Sequence, residues 1–290
     1  MHPTLPEFPL AKTPSLYVVA TPLGNLHDMG LRALAVLGAV NAIAAEDTRH
    51  SQRLLEAFGI KTKLVALHEH NEQVAVGQVI KMLEAGQHVA LITDAGTPAV
   101  SDPGAKAVAR VQEAGFPVVP VPGACAAIAA LSASGLADGH FHFHGFLPTK
   151  STARRAELET LKSVPGTLVF YEAPHRIAET LDDLAASMEP ARQIVVAREL
   201  TKMFEQIARM PVAEAPAWLA ADPNRARGEF VLLVSAAPPV EGLSPEVERV
   251  LGLLLAELPV KQAAKLAAAI TGASKNALYE RALALKAAAE

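Results

Sequence analysis

The chain has 290 residues, enough for two domains with their own cores and a small appendage. Hydrophobic residues make up 51%, which excludes disorder over most of the length, and a formal net charge of −4 excludes nucleic-acid binding driven by overall charge. The lone cysteine, Cys125, excludes an internal disulfide and fits a reducing compartment.

The start, MHPTLPEFPLAKTPS, has prolines and an acid where a signal peptide needs a basic start and an apolar run. Residues 1–14 read as a mobile tail. No apolar stretch approaches the ~20 residues of a membrane span, so a cytoplasmic placement without membrane contact is expected. From Leu16 the chain alternates between strand-like runs at 16–21, 42–46, 63–67, 88–93 and 117–121 and helix-like segments at 27–38, 49–58, 72–85 and 104–115. In the third helix Val76, Val79, Ile80 and Leu83 recur at helical spacing. This order predicts an N-terminal α/β domain over 15–121, with a mainly parallel sheet covered on both faces.

The stiff segment PVPG, 120–123, predicts a link into a second domain over 122–238. It leads into ACAAIAALSASG, a helix of small residues. Strand candidates follow at 140–146, 166–172, 193–200, 205–212 and 228–236, several with few residues between them, as antiparallel neighbours have. The second domain is therefore α/β with a mixed sheet. The break at 236–245 opens a helical module over 239–290, with Ser244 as cap and Pro245 in the first turn. Its stripes are Val247, Val250, Leu251, Leu254 and then Ala263, Leu266, Ala267, Ile270, with a TGAS turn at 271–274 before a last helix.

The loop TDAGTPAVSDPG, 93–104, follows the fourth strand and precedes a helix with Ala107, Val108, Val111 and Ala114 on one face. Strand, loop and helix in that order build ligand crevices at the carboxyl ends of open α/β sheets. The loop offers the Asp94 carboxylate, the hydroxyls of Thr93, Thr97 and Ser101, and a backbone held open by Gly and Pro. It carries no G-x-G-x-x-G, so it grips a polar cofactor without a pyrophosphate turn. Asp94 reads either as a cofactor contact or as a loop carboxylate capping the next turn.

TPLGNL (21–26), AEDTRHS (45–51), TDAGTPAVSDPG (93–104), VPGACA (121–126), FYEAPHR (170–176) and RELTKMFE (198–205) stand in order along the chain. Together they resemble the bacterial ribose 2′-O-methyltransferases that modify a cytidine in the decoding region of small-subunit (16S) ribosomal RNA, a family within the tetrapyrrole methylase superfamily. The resemblance covers about residues 15–236, and the helical module fits that family's C-terminal extension. It implies two αβα domains around a cofactor cleft, S-adenosylmethionine as cofactor, the 16S RNA of the small subunit as partner, and a homodimer. Pro22 and Gly24 would line the near edge of the cleft. Asp94, Gly96, Pro98, Ala99, Val100 and Ser101 would hold one side of the cofactor, Ala124, Cys125 and Ala126 would pack against it, and Tyr171 and Glu229 would close the far side.

S-adenosylmethionine has no pyrophosphate, which agrees with the missing glycine turn. A neutral ribose hydroxyl is a poor nucleophile, and a base or cation should help it lose its proton. Polar clusters at strand ends supply candidates: Glu46, Asp47, Arg49 and His50; His68, Glu69, His70 and Glu72; Glu172, His175 and Arg176; Arg198, Glu199 and Lys202. We expect Glu46, Asp47, Arg49 and His50 to shape the reacting centre. Lys150, Arg154, Arg155, Arg176 and Arg198 are expected to bind RNA phosphate. The plain alternative for each is a solvated loop residue or an ion pair. His140, His142 and His144 share one face of a strand, yet they lack a cysteine partner and fit an outer or subunit-facing strand better than a metal site. Lys261, Lys265, Lys275, Arg281 and Lys286 give the last helices a basic patch on a helix-turn-helix-like pair, which serves RNA docking or is only a packing module. A small-molecule methylase and an RNA-binding protein with a vestigial cofactor pocket are the rival readings.

Overall fold

The structure is a computed structural model that describes residues 9–67, 72–136, 139–237, 243 and 245–287. Most of the leading tail, His68, Glu69 and His70, the Glu72 side chain and the Ser244 cap lie outside the described residues. The chain forms two compact units, one ending at Ala237 and the other beginning at Pro238.

The first unit holds two five-stranded sheets. In the first sheet β1 (Leu16–Val19), β2 (Ala42–Ala45), β3 (Lys63–Ala66), β4 (Val89–Ile92) and β5 (Val118–Val121) run in the order β3-β2-β4-β1-β5. Every pairing in it is parallel. β2 and β4 are buried at every position, which is why they are unbroken apolar runs rather than alternating ones. One layer of core forms around Tyr17, Val36, Leu37 and Ile43, the other around Leu16, Val79, Leu91 and Val111.

Helices α1 (Leu31–Ala39), α2 (Thr48–Ala57), α3 (Glu72–Glu84) and α4 (Ala105–Glu113) alternate with those strands. The single helix predicted at 27–38 is divided. Asn25 caps a short 3-10 turn, Leu26–Asp28, by accepting from the His27 N–H, and α1 starts afresh after the extended Met29 and Gly30. A local side-chain cap outcompetes helix continuation there.

α5 (Ala126–Ser134) leads to the second sheet, β6 (Phe141–Phe146), β7 (Thr167–Glu172), β8 (Gln193–Arg198), β9 (Gln206–Pro211) and β10 (Phe230–Val234), in the order β6-β7-β10-β8-β9. Only β6 and β7 pair in parallel; the other three pairings are antiparallel, so the sheet is mixed. α6 (Ser151–Leu161), α7 (Ile177–Ser187) and α8 (Ala215–Ala220) complete the unit. Leu158, Leu161, Phe170, Leu181, Leu184 and Leu232 pack one side of this sheet. Ala127 and Ala130 of α5 pack the other side, against Val169, Val195 and Val231.

The second unit contains α9 (Pro245–Glu257), α10 (Val260–Thr271) and α11 (Lys275–Ala287) around Leu251, Ala264, Ala267, Leu278 and Ala282. The second predicted stripe is rotated. Ala263, Ala264 and Ala267 face inward while Leu266 and Ile270 stay exposed. Alanine lets two helix backbones approach more closely than leucine would, so the small face is the one that packs. Gly272, at φ 72°, supplies the left-handed residue that ends α10.

Candidate active site

The loops after the first-sheet strands and the facing ends of β7 and β10 enclose a cavity of about 450 Å³, within the range of small-ligand sites. Leu23, Glu46, the loop 94–97, Val100, Ser101 and Asp102 form its wall on the first sheet's side. Cys125, Ala126, Phe146, Tyr171, Glu172, Leu200, Glu229, Phe230 and Val231 line the remainder.

Two strained loops converge here. The four non-glycine residues with positive φ among the described residues are Ala99 at 69°, Ser101 at 60°, Glu199 at 51° and Thr201 at 66°. Such conformations cost about 1 kcal/mol or more each and persist where the surroundings over-determine them. The surroundings do so. Thr21 and Gly96 exchange both backbone hydrogen bonds, at 2.9 and 3.0 Å, which pins the TPLGNL loop to the 93–104 loop. The Thr97 hydroxyl donates to the Ala124 carbonyl at 2.9 Å. The Tyr171 hydroxyl accepts from the Ala127 N–H at 3.1 Å, which ties the start of α5 to β7, and burial beside Cys125 raises the phenol's pKa.

The expected cofactor residues divide. Asp94, Gly96, Val100, Ser101, Cys125, Ala126, Tyr171 and Glu229 line the cavity. Pro22 is buried behind it and Leu23 takes the lining position. Gly24 lies outside the lining against the Lys202 side chain, where an added Cβ would come within 2.6 Å of it. Pro98, Ala99 and Ala124 are outside the lining; Ala99 sits at φ 69° in the loop, and the Ala124 carbonyl anchors Thr97.

The expected reacting-centre cluster also divides. Glu46 lines the cavity. Asp47 is the N-cap of α2: its carboxylate accepts from the Arg49 and His50 N–H groups, which hold its pKa below the usual value. Its own N–H donates to Asp94 at 3.3 Å. Arg49 and His50 stand exposed on the first turn.

Three of the five expected phosphate-binding residues already have partners within the fold. Arg154 is fully buried on α6 and is spent on Asp183 at 2.7 Å and on the Pro148 and Thr149 carbonyls. Arg176 pairs with buried Glu172 at 3.1 Å and donates to the Leu147 carbonyl at 2.6 Å. Arg198 is 8% exposed and donates to the Arg227 carbonyl and Gln206. A guanidinium already desolvated and paired cannot turn to a phosphate without abandoning that partner. Lys150 is exposed, and Arg155 is about half exposed while touching Asp183. Among the described residues no group of three or more His, Cys, Asp or Glu is placed to hold a metal ion. His142 and His144 lie on β6, at the edge of its sheet.

Asp102 is the residue that sequence reasoning missed, since SDPG reads as a turn. Burial pushes its carboxyl up to about 6; the Thr93 hydroxyl opposes this, and Glu46, Asp94 and Glu229 add like-charge repulsion. Between the unfolded value of 3.8 and about 6 the native state therefore holds more protons than the unfolded one. Stability falls as pH rises through that window and stays lower above it. Asp102→Asn is expected to stabilise the ligand-free chain by about 1 kcal/mol at pH 7.5, after discounting for partial exposure. Thermal melts should show a rise of about 2 °C, with no gain at pH 3.5. An unchanged melting temperature at both pH values would mean that the carboxyl is solvated.

The cavity's chemistry suits a cationic, partly flat ligand. Among the described residues five carboxylates line it with no lysine, arginine or histidine, and Leu23, Leu200, Phe230 and Val231 supply apolar surface. S-adenosylmethionine meets both conditions through its positive sulfonium and its adenine ring.

Residues 15–216 match the family of Tetrapyrrole (Corrin/Porphyrin) Methylases, and residues 241–286 match the RsmI C-terminal HTH domain. A relative from Pseudomonas aeruginosa, "Ribosomal RNA small subunit methyltransferase I", is 54% identical over 93% of this chain and 96% of its own. One of the same name from Escherichia coli O157:H7 is 51% identical over 92% of this chain and 94% of its own. Among solved structures, a diphthine synthase shares the fold at a TM-score of 0.60 and 15% identity, covering 77% of this chain and 90% of its own. The fold and the cavity thus define a tetrapyrrole-methylase-type methyltransferase whose cofactor is S-adenosylmethionine. Within that class the chain belongs to the ribosomal RNA small subunit methyltransferase I family.

Proposed function

We propose that the enzyme methylates small-subunit ribosomal RNA at the ribose 2′-oxygen of a decoding-region cytidine, and that it works as a homodimer. The observation that carries the reading is the joining of an acidic methyl-donor cavity to a helical unit with exposed cations. Lys261, Lys265, Lys275 and Lys286 are exposed on that unit, and Arg281 shares its charge with Glu248 at 2.7 Å. A small metabolite needs no such module, whereas RNA phosphates do. Lys150 and Arg155 give the first unit a further local positive site. Exposed Met203 and Phe204, at 90% and 67%, offer apolar surface that a second copy would cover.

S-adenosylmethionine supplies, when bound, a methyl group on a cationic sulfur. The chain's residues do the rest by alignment and dryness. Glu46 lines the cavity, and in this reading it receives the hydroxyl proton. Arg49 and His50 present their side chains at the start of α2, and Asp47 fixes them there through its cap.

The test is transfer of labelled methyl to purified small subunits lacking the modification, with nuclease digestion to locate the label. Label on the 2′-oxygen of one decoding-region cytidine is the expected result. Label on a base overturns the ribose assignment. No label, with cofactor binding intact, returns the chain to small-molecule methylation or to RNA binding without turnover.

A further inference from the structure

The carboxylates of the cavity are unequally compensated. Glu172 is paired with Arg176 at 3.1 Å and accepts from the Thr180 hydroxyl at 2.6 Å. Glu229 is paired with Lys202 at 2.8 Å. Asp94 accepts a main-chain N–H from Asp47. Asp102 has no cationic partner among the described residues, and the nearby Thr93 hydroxyl, which also lies 3.4 Å from the Glu46 carboxylate, leaves its charge unanswered. Around it stand Glu46 after β2, Asp94 after β4, Glu229 before β10 and the Tyr171 phenol on β7. All of these are acidic groups.

The methyl donor and its product present different charges to this cavity. Their amino-acid ends are alike, each with an ammonium and a carboxylate that nearly cancel. The donor's sulfur is a sulfonium cation, and after transfer the sulfur is a neutral thioether. A net negative field in a partly desolvated site acts on that difference even without direct contact, because Coulomb attraction is screened less there than in water.

We propose that the cavity distinguishes the methyl donor from the demethylated product by charge, and that Asp102 is the carboxylate whose ionisation sets the preference. Bound donor favours the ionised carboxylate, and by reciprocity the ionised carboxylate favours donor. Spent cofactor loses this attraction at the moment of transfer, which speeds its release. The neutral form of Asp102 withdraws the preference. Since burial and its acidic neighbours bring the carboxyl to about 6, the change falls in a range where the fold can be assayed. At pH 5 about one molecule in ten carries the ionised form; at pH 7.5 nearly all do.

The experiment is calorimetric binding of S-adenosylmethionine and of S-adenosylhomocysteine to the full chain at pH 5.0 and 7.5, for the parent and for Asp102→Asn. The expected result is a rise of about tenfold in the ratio of product Kd to donor Kd between the two pH values in the parent. In Asp102→Asn the ratio should stay constant with pH, with the folded state confirmed by its melting temperature. Equal pH dependence for the two ligands would overturn the proposal, because it would place Asp102 against the shared ammonium. A variant that titrates like the parent would overturn it as well, by moving the effect to another carboxylate. No RNA enters this experiment, so its outcome stands apart from that of the methylation assay.

Discussion

Replacing Asp183 with alanine is expected to destabilise the first unit by about 3–5 kcal/mol, the cost of stranding a buried charge. Asp183 of α7 is 2% exposed and Arg154 of α6 is 0% exposed. The carboxylate receives Arg154 at 2.7 Å, Arg155 at 2.5 Å and the Ser151 hydroxyl at 3.0 Å. Burial opposes its ionisation, but the hydrogen bonds from Arg155 and Arg154 more than offset that and hold its pKa below the usual 3.8. The stabilisation is therefore complete above the unfolded carboxyl's pKa and is lost as pH falls through the lower folded one. Urea denaturation at pH 7 should report the full loss for Asp183→Ala. The double variant Arg154→Leu with Asp183→Leu should recover much of it, since apolar replacement of a whole buried pair is often neutral. A single variant within about 0.5 kcal/mol of the parent would mean that water reaches the Arg154 guanidinium.

Gly96→Val is expected to lower S-adenosylmethionine affinity by at least about tenfold while leaving both sheets folded. Gly96 sits at φ 83°, where a β-branched residue is strained by about 1–2 kcal/mol. Its backbone bonds to Thr21 hold the two cavity loops together. An added Cβ would already lie 3.4 Å from Leu23 and 3.8 Å from the Ala124 carbonyl, so the extra methyls of valine have only the cavity to enter. Equilibrium dialysis with labelled cofactor, alongside circular dichroism, separates the two effects. Parent-like affinity with intact secondary structure would show that the cofactor lies away from this loop.

Much of the fold was legible in the sequence because burial leaves a local trace. β2 and β4 are buried on both faces and had to be unbroken apolar runs; β10 is another such run in the centre of the second sheet. The intervening helices and the crevice-forming loop followed from spacing and from the Gly and Pro of TDAGTPAVSDPG. Six ordered motifs then reached the methylase resemblance, and the family matches over 15–216 and 241–286 agree with it.

Roles of charged residues were less legible, since a side chain's partner is set by elements distant in sequence. Arg154 reads as a solvated helix-start cation until its spacing with Leu158 and Leu161 is noticed, which places all three on the buried face of α6. Even that signal does not reveal Asp183, which α7 brings from 29 residues away. Arg176 and Arg198 likewise meet carbonyls of other segments. Asp102 shows the converse: an ordinary turn residue in sequence, it becomes an uncompensated carboxyl only when Glu46, Asp94 and Glu229 are folded around it. By itself the sequence determined the elements and the layers, because periodicity and backbone chemistry act over a few residues; the cofactor class came from the resemblance that the ordered motifs carry. The tertiary structure alone decided which charges are spent and which remain for chemistry, because desolvation and Coulomb energy depend on what surrounds a group in space.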